Sequence, residues 1–214
     1  MYSLPKQVKF YFFGDSICFG QHQSYAKTWI AQVDTALSSA YPDIEFIIQN
    51  PSVSGSTTED ARKRLNYYLL SHNPDFIWIQ FGLNDANKYL VDNGENRVNV
   101  HRYSNNIEYF LQECMKIDKN KRIFLATNHL VEKKYADQSL GDFNNNIRLY
   151  NNSLRSLTQI YTEVQLVDME REIPSNQLYL MPDGVHLNSL GHVIYSQIAL
   201  KTIKNRLKDD LNEM

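Results

Sequence analysis

The chain has 214 residues, 22 basic against 24 acidic side chains and a formal charge of −2. With 43% hydrophobic and 21% charged residues it is compositionally an ordinary globular protein, which excludes collagen-like, disordered and solenoid classes. One domain is expected over 1–214, and the near-neutral balance argues against a nucleic-acid partner.

The first apolar run, 8–13, is broken by Lys9 and ends at Gly14-Asp15, too short and too charged for a signal-peptide core. It reads instead as the first of five strands rich in β-branched and aromatic residues, followed by runs at 44–49, 75–81, 122–127 and 164–168. Between the first two, Trp29, Ile30, Val33 and Leu37 share a helical face. Ser56-Thr57-Thr58-Glu59 has the spacing of a capping box and opens a second helix carrying Leu65, Tyr68 and Leu69. A third helix carries Ile107, Phe110, Leu111, Cys114 and Met115, and a fourth Ile147, Tyr150, Leu154 and Leu157. In that fourth helix the asparagines at 144–146 and 151–152 are expected to face solvent, as is the basic run Arg62-Lys63-Arg64 in the second. The last helix begins near Ser189 and carries Leu190, Val193, Ile194, Ile198, Leu207 and Leu211. Segments 88–101 and 129–141 lack a clear period and are candidate lids, with Tyr89, Tyr103 and Tyr135 near them. Strand-helix alternation predicts parallel strands joined by right-handed crossovers, hence a three-layer α/β/α sandwich.

No stretch approaches the roughly 18 apolar residues of a membrane span. Two cysteines, Cys18 and Cys114, cannot make a disulfide framework, so a reducing, cytoplasmic setting is expected.

In an open α/β sheet, ligands bind beyond the carboxyl ends of the strands, so the residues after each strand carry the chemistry. After the first run stands Gly14-Asp15-Ser16, after the second Val53-Ser54-Gly55-Ser56-Thr57-Thr58, after the third Gly82-Leu83-Asn84-Asp85, and after the fifth, before the last helix, Asp183-Gly184-Val185-His186. These are the parts of acyl transfer. A serine hydroxyl becomes a useful nucleophile when an imidazole takes its proton, and the imidazole needs a third group to hold its tautomer. Ser16, His186 and Asp183 suit those roles, with the Ser16 and Gly55 amides and the Asn84 carboxamide as donors to an oxyanion.

In order and spacing the four blocks resemble the SGNH, or GDSL-type, esterase and lipase superfamily, over nearly the whole chain from Gly14 to His186. The resemblance implies Ser16 as nucleophile, Gly55 and Asn84 as oxyanion donors, His186 as base and Asp183 as its orienting partner. It also implies a flavodoxin-like, five-stranded sheet in the order 2-1-3-4-5. Ile17 replaces the leucine of the nickname motif, and Pro51-Ser52 stands where many members carry a small residue and glycine. The expected activity is hydrolysis of a small-molecule carboxylic ester through an acyl-enzyme, with no metal or organic cofactor. A short acyl or O-acetyl sugar ester is favoured, and a thioester or lysophospholipid is the alternative within the family.

Other readings of the same residues exist. Ser16 suits an N-cap, and Asp15 and Asp85 suit acceptors for loop amides. Asp183 and His186 suit a metal pair, for which a third and fourth ligand at recognisable spacing are missing. His22, His72, His101, His129 and His192 read as surface or packing histidines. From a different class, Ser54-Gly55-Ser56-Thr57-Thr58 before a helix suits a phosphate or flavin cradle, although such a loop belongs after the first strand.

Overall fold

In the computed structural model, residues 6–88, 93–117, 122–132, 142–173 and 178–212 are described. The candidate lid residues 89–92 and 133–141, including Tyr89 and Tyr135, lie outside them. Five parallel strands, β1 (Lys6–Gly14), β2 (Ile44–Gln49), β3 (Phe76–Gln80), β4 (Arg122–Ala126) and β5 (Gln165–Val167), form one sheet in the order β2-β1-β3-β4-β5. The helices are α1 (Ser16–Phe19), α2 (Trp29–Ala40), α3 (Thr58–Tyr68), α4 (Val100–Ile117), α5 (Phe143–Ile160), α6 (Met169–Glu172) and α7 (Ser189–Asn212). The expected sandwich and strand order are both observed.

Alternation along β1 explains the layering. Phe10 and Phe12 point to the α2 and α7 face, where Phe12 meets Trp29 edge-on at 5.3 Å and Trp29 lies 5.9 Å from Tyr195. Phe13 points to the other face and packs edge-on against Phe81 and against Phe110 of α4. Every residue of β3 is buried, as a central strand covered on both sides requires.

Where local patterning misjudged a face, a polar residue lay on the buried stripe. In α7 the inward positions are His192, Tyr195, Ser196, Ala199, Ile203 and Leu207, while Leu190 and Val193 are exposed. In α5, Asn145 and Asn152 are exposed as expected, but Asn151 is buried, four residues after Ile147 on the same stripe. Its carboxamide accepts from Asn128 N at 2.8 Å and donates to Asn128 O at 2.8 Å. Asn144 makes the same double contact with Val131, and Asn146 donates to Ala86 O. These asparagines are internal braces for the turns after β3 and β4. Tyr103 is likewise core, its hydroxyl donating to Phe81 O at 2.9 Å.

His192 accepts from Trp29 N at 3.1 Å, and burial lowers its pKa to about 4. An unfolded histidine titrates near 6.5, so between those values the unfolded chain binds the extra proton. The stability that depends on neutral His192 is therefore complete above about pH 6.5 and lost as pH falls toward 4. A His192→Asn variant keeps an acceptor for Trp29 N and removes this titration. Denaturant unfolding at pH 5 and pH 7 is expected to show a shallower acid loss than wild type, by at most about 1.4 kcal/mol per pH unit. Identical slopes would reject the contribution.

Candidate active site

The site gathers at the carboxyl ends of β1, β2 and β3 together with the loop before α7. β1 ends at Gly14, where a Cβ would stand 2.7 Å from Gln80 O and 2.6 Å from Cys18 Sγ, so only glycine lets the chain turn there beside β3. Asp15 then caps α1, its carboxylate accepting from Ile17 N at 3.0 Å. The N-cap is thus Asp15, and Ser16 is the first helical residue with its hydroxyl left for other work.

That hydroxyl meets His186 Nε2 at 3.0 Å, and His186 Nδ1 meets Asp183 Oδ2 at 2.7 Å. Burial disfavours the Asp183 carboxylate, but the Val185 amide, the His186 ring and the His186 amide outweigh it and leave its pKa below the ordinary value. An ionised Asp183 accepts only, so Nδ1 carries the proton and Nε2 is left to accept from Ser16. Asp183 Oδ1 accepts from Val185 N at 2.9 Å and His186 N at 3.0 Å, which fixes the carboxylate within its own turn.

The turn is braced from outside. Met181 N donates to His186 O at 2.7 Å and Glu132 N to Gly184 O at 2.8 Å. His129, expected as a surface or packing residue, is buried beneath it and donates from Nε2 to Val185 O at 2.8 Å. Burial lowers the His129 pKa to about 4, so the neutral ring accepts at Nδ1 from the Tyr195 hydroxyl.

Gly55 has φ +75, in the left-handed region, and a Cβ there would meet nothing within 4 Å. Glycine is called for by the backbone, and the space beside it is open. The Gly55 loop is tied to Asn84, whose Nδ2 donates to Ser56 O at 3.2 Å and approaches Asp15 Oδ2 at 3.4 Å. Arg64 ties the same loops together. Its guanidinium donates to Pro51 O at 2.6 Å, Gly14 O at 3.3 Å and Ser56 Oγ at 3.2 Å, so this residue, expected in solvent, is a brace behind the site. Arg62 and Lys63 are exposed as anticipated.

The anion at the start of α3 is the chain's own. Asp85 accepts from the Thr58 amide and hydroxyl, and Thr57, one residue later than expected, closes a capping box with Asp60. Of the amides that a phosphate cradle would use, those of Ser56, Thr57 and Thr58 are engaged internally. Burial raises the Asp15 pKa to about 7 and the Asp85 pKa to about 6.

Ser16, Asn84, Asp183 and His186 open on a cavity of about 160 Å³ whose remaining walls are Leu83, Asn87, Phe143 and Val185. His22 is the residue that sequence reasoning left out. Its ring stands edge-on to His186 with centroids 5.1 Å apart, and its Nε2 is 3.7 Å from Asp183 Oδ2. Nothing in the spacing of the chain marks this, because His22 lies in the turn after α1 and meets the C-terminal loop only in the folded chain.

The GDSL-like lipase/acylhydrolase family matches residues 12–194 of the chain. The chain belongs to this family. Its reaction class is hydrolysis of carboxylic esters. Among curated relatives, an acetylxylan esterase of Geobacillus stearothermophilus is 23% identical over 91% of this chain and 93% of its own. An uncharacterized lipoprotein of Bacillus subtilis is 34% identical over 49% of this chain, and the match spans 42% of that protein's length. Among solved structures, a lipase/acylhydrolase from Enterococcus faecalis superposes with a TM-score of 0.77, covering 93% of this chain and 96% of that one at 23% identity. It shares the fold. Among the described residues no helix is long and apolar enough to cross a membrane.

Proposed function

We propose that this family member is a serine esterase, one domain over residues 1–214, that removes short acyl groups, acetyl foremost, from a carbohydrate alcohol. The reading rests on the Ser16–His186–Asp183 hydrogen-bond chain at the mouth of a small cavity. Ser16 Oγ attacks the ester carbonyl while its proton passes to His186 Nε2, and Asp183 stabilises the imidazolium. The carbonyl electrons move onto oxygen, to which the Ser16 and Gly55 amides and Asn84 Nδ2 donate hydrogen bonds. Collapse expels the alcohol with the proton from His186, and a water then repeats the sequence on the acyl-enzyme.

Size selects the acyl group. A cavity near 150 Å³ accommodates a ring the size of benzene, so about 160 Å³ shared with the reacting atoms suits acetyl or propionyl better than an extended chain. The full-length likeness to an acetylxylan esterase supports an acetylated sugar as the alcohol side. Two buried thiols, Cys18 and Cys114, support action in the reducing cytoplasm. The deciding experiment compares nitrophenyl acetate, butyrate and octanoate with a panel of acetylated xylo-oligosaccharides. Acetyl is expected to give the highest kcat/KM, and a preference for octanoate would overturn the reading.

Asp183→Asn is expected to cost about 10⁴ in kcat, against about 10⁶ for His186→Ala, because Asp183 orients and stabilises the base without receiving the proton. Backbone contacts across the loop keep His186 near Ser16 in the asparagine variant. Initial rates on nitrophenyl acetate check this, and equal losses would assign the carboxylate a larger part.

A further inference from the structure

We propose that His22, Asp183 and His186 form a site for a divalent transition metal, zinc by its chemistry, through which the ion reversibly switches the esterase off. The inhibitory half of this inference rests on the esterase reading above, whereas the binding half does not.

The residue chemistry is that of an open zinc site, two imidazoles and one carboxylate with a position left for water. One donor atom from each residue lies within 4.8 Å of the other two. His186 Nδ1 is 2.7 Å and His22 Nε2 is 3.7 Å from the same oxygen, Asp183 Oδ2. Ligands about 2.0–2.1 Å from a tetrahedral zinc stand roughly 3.4 Å from one another, so the two observed separations bracket the required one. Side-chain shifts of about 1 Å, on groups that are 46%, 39% and 22% exposed for His22, Asp183 and His186, would close the site. A hydrated ion reaches them directly. His22 is aimed inward by a left-handed backbone, φ 69, which histidine adopts more readily than most residues.

The consequence for catalysis follows from the imidazole. Zinc takes the lone pair of Nδ1, so the ring proton, which sits on Nδ1 in the resting enzyme, transfers through solvent to Nε2. The ring stays neutral and no proton is released overall, while the ion exchanges waters for two nitrogens and one oxygen. Protonated at Nε2, His186 can no longer accept from Ser16, and Asp183 now orients the ion. Metal binding and general-base catalysis are mutually exclusive at this ring.

The test titrates zinc chloride into the full chain, previously dialysed against a chelator, by calorimetry, with nitrophenyl acetate turnover followed in parallel. One ion per chain, loss of turnover at the same zinc concentration and recovery with EDTA are expected. His22→Asn tolerates the left-handed backbone and, with each protein's turnover referred to its own zinc-free rate, should need at least about tenfold more zinc for both readouts. Ser16→Ala should bind zinc as wild type does, since its hydroxyl is no ligand. Failure of the wild-type chain to bind zinc, or equal zinc sensitivity in His22→Asn, would overturn the site. A chain inert toward every ester that still binds one zinc through His22 would overturn the esterase reading and support the site.

Discussion

A Ser16→Ala variant is expected to fold as wild type does and to lose ester hydrolysis by about 10⁴ to 10⁶ in kcat. The effect is large because the proton relay ends on this hydroxyl, which stands 3.0 Å from His186 Nε2. Folding should survive because the cap of α1 comes from Asp15 and the turn from Gly14, so deleting Oγ removes no support from the strand-to-helix junction. His186→Ala should cost about as much, and the double variant scarcely more, since the two groups act as a unit. Circular dichroism and thermal unfolding establish that the variants are folded, and initial rates on nitrophenyl acetate give the loss. A folded Ser16→Ala protein with near-normal turnover would remove the assignment of the nucleophile.

The legible part of the protein was the part written in local periodicity. Nearly continuous apolar runs such as 76–81 announce a covered strand, and the residues after each strand name the chemistry because the fold collects those ends on one edge. Hence Ser16, Gly55, Asn84, Asp183 and His186 are legible in the sequence itself. What stayed hidden was polar burial. Asn151, Arg64 and His129 each satisfy a main-chain group that lies far away in sequence, Asn128, Pro51 or Val185. A polar side chain is stable inside only when such a partner is at hand, and the pattern of one helix carries no record of the loop that packs on it. His22 escaped for a related reason, since its neighbours Asp183 and His186 reach it only through the loop before α7.

Asn84→Ala is expected to lower kcat by about 10² to 10³ with little change in KM. In the resting enzyme one hydrogen of Nδ2 is directed to Ser56 O at 3.2 Å and the other toward Asp15 Oδ2 at 3.4 Å. The second distance lies beyond the usual range for N–H···O, so that hydrogen is weakly held and free to turn toward charge developing on the substrate oxygen. Asp15 strengthens the case, because burial raises its pKa to about 7 and a largely neutral carboxyl competes poorly for the donor below that pH. A donor recruited only as the oxyanion forms contributes to the transition state and scarcely to the bound ester, which is why the loss belongs to kcat. A trifluoromethyl ketone, which forms a hemiketal oxyanion on Ser16, provides an independent readout: its affinity should fall in step with kcat/KM. If the variant instead raised KM alone, or bound the ketone as tightly as wild type, Asn84 would be a brace for the Ser56 turn and the oxyanion would rest on the Ser16 and Gly55 amides.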